Sequence, residues 1–349
     1  MSVLRRSKRR LPELAPAIIF RWDLDKTYLK SAFESLRQLV RIPFEKPEDK
    51  VTVPGVVPLI RGLRAVATQA GREVRIYFIS ASPPQIARAI KEKLALDGIE
   101  YDGIVFKNQL QHLVRGKFRN LREHVGFKLT ELLKSRHDMP PGSREVLFGD
   151  DWESDPIIYS LYADICSGRV GTADLDGILE TIGVDSRLRA EALDLAVNIT
   201  PADVVTKIYI NVERRTPPTT FRLFGPRLVP TFNYFQTAAC LFEDGLLTLP
   251  AVAAVAQVLI DQESYTPPRL ANSLADIARR GHVHAVGVIA LREYLRALGL
   301  LPPRTRNAVR TSIWQQLFGW LQRSEAPTPA PAEQSINYQT LVSEWRAAR

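Results

Sequence analysis

The sequence predicts an α/β fold: a parallel β-sheet with helices on both faces, followed by a mostly α-helical C-terminal region. Short apolar runs without helical periodicity alternate with longer helix-like stretches, the pattern of strands joined by crossover helices. Three of those runs end directly in chemically loaded residues: Asp23-Leu24-Asp25 after Trp22, Ser80 after Ile79, and Gly149-Asp150-Asp151 after Phe148. In a parallel sheet ligands bind beyond the carboxyl ends of the strands, so these three segments are expected to converge on one edge.

Ala17 to Trp22 (AIIFRW) is short and uniformly apolar, which predicts a buried strand. A helix-like stretch, SAFESLRQLV, follows it, and then a Pro- and charge-rich loop through Lys50. Pro58 to Ala70 reads as a helix, with Pro in its first turn and Gly71 at its end. Val74 to Ser80 is the second strand. Pro83-Pro84 then opens the helix QIARAIKEKLAL, which Gly98 closes. A short strand, GIVF, precedes Lys107, and Val125 to Ser135 looks helical. REVLFGDD repeats the first pattern, a strand running into acid, and Val204 to Val212 is a further strand. Beyond Pro217 the chain is mostly helical. The expected organisation is a basic flexible arm (1–15), an α/β core (16–215, with a helical insert at about 171–200), a helical C-terminal region (216–323) and a Pro/Ala-rich linker and tail (324–349).

The formal net charge of the 349 residues is +9. Five of those charges, Arg5, Arg6, Lys8, Arg9 and Arg10, lie in the first ten residues without an acid among them, and removing them leaves +9 − 5 = +4. The basic balance therefore belongs partly to the arm, which is suited to peripheral contact with an anionic membrane. No basic groove leading to Asp23 is legible, so nucleic acid is not an expected partner. Cys166 and Cys240 are too few for a disulfide framework or a thiolate metal site. Pro12, Glu13 and Pro16 interrupt any signal-peptide core, and the longest apolar stretch, Leu246 to Ile260, is shorter than the roughly 20 residues of a membrane span. A cytoplasmic location, possible at a membrane periphery, is the expectation.

Asp23 and Asp25 lie two residues apart at the end of an extended segment, so their side chains start on the same side. A carboxylate can attack phosphorus and carry it as an acyl phosphate, dividing one difficult displacement into two. A second carboxyl group can protonate the departing alkoxide and later take a proton from water. Asp150, Asp151 and Asp155 bring more negative charge to the same edge, and carboxylates about 4 Å apart in low dielectric need a cation. Hard oxygen ligands beside a phosphate point to Mg²⁺. Ser80 can donate to a phosphoryl oxygen, Lys128 can offset the nucleophile's charge, and Thr27 ties down the loop. Lys107 is the rival for the lysine's place. Asp174-Leu175-Asp176 lacks a preceding apolar strand and reads as a loop. His282 and His284, two apart, have no acidic or Cys partner spaced to make a metal site.

These segments resemble the motifs of the haloacid dehalogenase superfamily. Asp23-Leu24-Asp25-Lys26-Thr27 is similar to its Asp-x-Asp-x-Thr, Ser80 after VRIYFI to its second motif, Lys128 to the third, and Gly149-Asp150 with Asp155 to the fourth. The resemblance implies a Rossmann-like phosphatase core and Mg²⁺. It makes Asp23 the nucleophile and Asp25 the acid/base, with Thr27, Ser80 and Lys128 completing the catalytic set. It places the metal among Asp23, Asp25 (through its main-chain carbonyl), Asp150 and Asp155.

A narrower resemblance is to the actin-patch-type phosphatidate phosphatase family. It rests on Ser80-Ala81-Ser82-Pro83, on Asp155-Pro156-Ile157-Ile158-Tyr159 and on Val53-Pro54-Gly55. The chain departs from that family in Asp151-Trp152, where Ser-Gly is usual, in the insert at 171–200 and in its helical C-terminus. The implied function is an Mg²⁺-dependent phosphomonoester phosphatase acting through an aspartyl-phosphate. Residues 28–73 are short for a folded cap, and an open site suits a phosphatidate-like lipid or another large phosphoester. The competing readings are a non-catalytic scaffold on the same fold and a nucleic-acid end phosphatase.

Overall fold

Six strands pair in parallel in the order β3-β2-β1-β4-β5-β6. They are β1 (Ala17–Asp23), β2 (Glu73–Ser80), β3 (Gly103–Phe106), β4 (Arg144–Asp150), β5 (Val205–Asn211) and β6 (Leu228–Thr231). The computed structural model describes residues 16–30, 51–69, 72–81, 86–107, 117–152, 154–303 and 336–347. The strand order reverses direction between β1 and β4, and such a switch opens a crevice at the carboxyl edge. The basic arm, the stretch SAFESLRQLV, Ser82 with Pro83-Pro84, and the helix-like segment at 311–323 lie outside the described residues.

Strand alternation divides the core between the two faces. Ile18, Phe20 and Trp22 of β1 join Ile76 and Phe78 of β2, Phe148 of β4 and Val229 of β6 on the first face. That face is covered by α1 (Val56–Gln69), α2 (Ala87–Leu96), α7 (Tyr234–Glu243), α8 (Leu249–Glu263), α9 (Pro267–Arg279) and α10 (Ala285–Ala297). The opposite set, including Ile79, Leu147, Ile208 and Ile210, meets α3 (Lys117–His137), α4 (Asp155–Cys166), α5 (Thr172–Ile182) and α6 (Ser186–Val197). Among the described residues, 217–303 thus contribute a sixth strand to the sheet and four α-helices to its first face.

Three details differ from the sequence reading. The four-residue strand β6 contains Pro230, which removes a ladder donor and masks the strand pattern. An edge position tolerates it, because one side of an edge strand needs no partner. Asp174-Leu175-Asp176 is not a loop but lies within α5, where Leu175 is fully buried and Asp176 pairs with Arg189 at 3.1 Å. The C-terminal residues read as tail include a helix, α11 (Tyr338–Ala347). Tyr338, Leu341 and Val342, spaced to share one helix face, bury in the core on the second side of the sheet beside α4 and α5, and the Tyr338 hydroxyl donates to Asp164 Oδ2 at 2.6 Å. The Pro/Ala composition just upstream conceals that stripe.

One buried ion-pair network ties β1 to β4. Arg21 Nε lies 2.5 Å from Glu145 Oε2, Arg136 Nη1 is 3.0 Å from Oε1, and the Tyr162 hydroxyl donates to Oε2 at 2.9 Å. Burial alone would push the Glu145 carboxyl up, but Arg21 and Arg136 hold it below its ordinary value of 4.5. A depressed carboxyl stabilises the fold fully above its unfolded value, and that stabilisation is lost as pH falls through the folded one. Unfolding free energy is therefore expected to drop on acidification below the ordinary glutamate range. Glu145→Gln is expected to cost about 3–5 kcal/mol at neutral pH, by leaving Arg21 buried and uncompensated, and to flatten this acid limb. Urea titrations at several pH values check both; an unchanged acid limb would refute the assignment.

Candidate active site

The chain leaves β1 in a tight loop. Leu24 N still donates to Ile79 O of β2 at 3.1 Å, after which Tyr28 N and Leu29 N both return to Leu24 O. Lys26 takes a left-handed φ of 63°, a costly conformation for a residue with a Cβ, at the point where the loop reverses. Contacts from outside secure the loop. Lys30 N donates to Val51 O at 2.8 Å, and the Tyr234 hydroxyl donates to Thr27 O at 2.5 Å. Beneath it, Trp22 stacks on Phe148 with ring centroids 3.7 Å apart and planes within 1°. An aromatic slab thus holds the ends of β1 and β4 side by side.

Asp23, Asp150 and Asp155, all buried, each offer a carboxylate oxygen within 4.8 Å of the other two. Lys128, itself buried on α3, places Nζ 2.8 Å from Asp23 Oδ1 and 2.7 Å from Asp155 Oδ1. Thr27 Oγ1 donates to Asp23 Oδ2 at 3.3 Å, and Ser80 Oγ donates to Asp25 Oδ2 at 2.9 Å. Asp150 accepts from Trp152 N at 2.5 Å, while Asp150 N donates to Asp155 Oδ2 at 3.2 Å. A Cβ on Gly149 would lie 2.6 Å from the Asp155 Cβ and 2.8 Å from its Cγ, so this close approach requires glycine.

Asp23, Asp25, Thr27, Ser80, Lys128, Asp150 and Asp155 therefore meet at the carboxyl edge of the sheet, whereas Asp174 and Asp176 lie on α5 and His284 pairs with Glu243 at 2.8 Å. Lys107 Nζ is 2.9 Å from Glu123 Oε2, and Lys128 holds the place beside Asp23. Asp25 lies outside the three-carboxylate group; its side chain meets Ser80. The three carboxylates and Lys128 sum to −3 + 1 = −2, a donor set and charge that a divalent cation would complete. Tyr159, whose hydroxyl donates to Phe148 O at 3.2 Å, has its phenol pushed well above the ordinary value by burial and then by Asp155. It stays a neutral donor under the site.

Sequence reasoning missed two supports. Asp151 accepts from Glu213 N at 2.9 Å, Arg214 N at 3.1 Å and Thr216 Oγ1 at 2.7 Å, fastening the loop after β4 to the loop after β5. Its place in the acidic run was visible, but its partners lie 62 to 65 positions away. Tyr234 stands in an aromatic run with Phe232 and Phe235, a pattern of core residues, and nothing local ties it to the loop after β1.

Residues 22–172 match the family model described as the catalytic domain of phosphatidate phosphatase APP1. The matched segment runs from the end of β1 to the first residue of α5 and contains all four motifs, in agreement with the resemblance read from them. No curated protein matches the chain. Among solved structures, one entitled "Structure of Pnkp1/Rnl/Hen1 complex" matches at 13% identity with a TM-score of 0.27. That match covers 41% of this chain and 44% of the other, so the chain spans less than half the length of that relative.

Proposed function

We propose that this protein is an Mg²⁺-dependent phosphomonoester phosphatase working through an aspartyl-phosphate on Asp23, with a phosphatidate-like lipid as its substrate class. One observation carries the reading: a buried Asp23 held by Lys128 at 2.8 Å and Thr27 at 3.3 Å within a three-carboxylate group. The family description of the matching catalytic domain supports the substrate class.

An Asp23 oxygen attacks phosphorus as the bond from phosphorus to the leaving oxygen breaks, and Asp25 gives its proton to the departing alkoxide. In the second step Asp25 takes a proton from water, the water oxygen attacks phosphorus, and the bond to Asp23 breaks to release inorganic phosphate. Lys128 keeps Asp23 ionised and offsets negative charge gathering on the phosphoryl group. Ser80 has one proton, which it donates to Asp25 in the ionised state. Turned from Asp25, the same hydroxyl can donate to a phosphoryl oxygen. Asp23, Asp150 and Asp155, with the main-chain carbonyl of Asp25, would hold Mg²⁺, which neutralises phosphoryl charge when bound.

Among the described residues no helix is long and apolar enough to cross a membrane, so the lipid would be reached from the aqueous side. The test is phosphate release by the full chain from an aryl phosphate, short-chain phosphatidate and a 3′-phosphorylated oligonucleotide. Mg²⁺-dependent release, highest on phosphatidate, is expected. Release undiminished by EDTA, or no release from any ester, would overturn the reading; preference for the oligonucleotide would overturn its substrate class.

A further inference from the structure

Aromatic side chains beside cations occur after β4, after β6 and between α8 and α9. Lys26 Nζ lies 3.6 Å and Arg214 Cζ 5.0 Å from the ring centroid of Trp152, on the loop after β4. Arg280 Cζ lies 5.4 Å from the ring of Phe232, directly after β6. Arg269 Cζ lies 3.8 Å from the ring of Tyr265, whose hydroxyl accepts from Asn233 Nδ2 beside Phe232. Buried Arg21 makes further such contacts with Tyr77 and Tyr162. Trp152 is 38% and Phe232 40% exposed, and Val51, bonded to the loop after β1, is 59% exposed.

From this arrangement we infer that the carboxyl edge of the sheet is a docking face for an anionic lipid bilayer, with Trp152 and Phe232 as its interfacial anchors. Indole and phenyl rings settle at the headgroup level of a bilayer, and basic side chains beside them are drawn to anionic headgroups. Stacking on single-stranded nucleic acid is the other use of such residues, but it needs open ring faces. Here Lys26 at 3.6 Å and Arg214 at 5.0 Å cover the Trp152 ring, and Arg280 lies 5.4 Å from that of Phe232. Trp152 follows β4 and Phe232 follows β6, at the same carboxyl edge of the sheet as Asp23, so docking would bring a membrane lipid to the edge that carries the nucleophile. That last step rests on the phosphatase reading, whereas the docking face does not.

The experiment is co-sedimentation of the full chain with vesicles of phosphatidylcholine, with and without phosphatidylserine. Neither lipid carries a phosphomonoester, so binding is separated from turnover. Wild type is expected to bind the phosphatidylserine vesicles, and Trp152→Ser/Phe232→Ser to lose roughly tenfold or more in apparent affinity. Leu298→Ser, a control at a residue 53% exposed, is expected to bind as wild type. The charge variant Lys26→Asn/Arg214→Gln, in which Asn suits the left-handed φ of 63°, is expected to lose the preference for phosphatidylserine even if the first variant unfolds. Failure of wild type to bind either vesicle overturns the inference. So does binding that both double variants retain, which would assign it to the basic arm, or wild-type affinity for a single-stranded oligonucleotide in place of vesicles. Aryl phosphate turnover on the same preparations is read separately: its absence defeats the phosphatase reading and leaves the vesicle result standing.

Discussion

Asp23→Asn is expected to lower kcat by at least roughly 10⁴-fold on every phosphoester turned over, because the amide cannot form an acyl phosphate. Asp25→Asn is expected to cost less, about 10²–10⁴-fold, since it removes only proton transfer. The two variants should also differ in kind. An aryl phosphate has a good leaving group, which departs without much help from an acid, so Asp25→Asn still forms the intermediate but hydrolyses it slowly. Acid quenching with mass measurement should therefore find a phosphate adduct on Asp23 in Asp25→Asn and none in Asp23→Asn. An Asp23→Asn protein with more than a hundredth of wild-type turnover would assign the nucleophile elsewhere. The geometry behind this contrast is the separate support of the two carboxyl groups: Asp23 by Lys128 and Thr27, Asp25 by Ser80.

Lys128→Met is expected to be the most destabilising single change at the site. Its ammonium lies 2.8 Å from Asp23 and 2.7 Å from Asp155, with all three groups fully buried. Removing it leaves two carboxylates in low dielectric against Asp150 without their shared cation, a loss of about 3–5 kcal/mol. A divalent cation should then restore part of the loss. The three-carboxylate group carries −3 instead of −3 + 1 = −2, so Mg²⁺ binds it more strongly and stabilises by mass action. Urea unfolding with and without Mg²⁺ checks this: the metal is expected to raise the midpoint of Lys128→Met by more than that of wild type. Equal stability of the two proteins in EDTA would show that Lys128 does not neutralise the site.

The parts of the site that were legible in the sequence are those whose chemistry is local. Asp23 through Thr27 occupy five consecutive positions, Gly149 through Asp155 seven, and each follows an apolar run whose length and lack of helical period mark it as a strand. Between Lys107, just after a short strand, and Lys128, on the helix before the next strand, the sequence could not choose. The choice depends on how α3 lies against the sheet, which brings Lys128 to Asp23 and leaves Lys107 with Glu123.

By itself, the sequence determined the α/β class, the strands that carry the motifs, and the presence of the acidic and basic groups at their ends. Periodicity and composition within one segment are enough for that. Only the tertiary structure decided which lysine meets the nucleophile, that β6 extends the sheet, and that α11 docks on its second face. It also decided that Tyr234 secures the motif loop from 207 positions away, and that Trp152 lies under Lys26 and Arg214. Those contacts follow from strand order and the closing of the helical layers, which bring together residues that no short-range pattern connects.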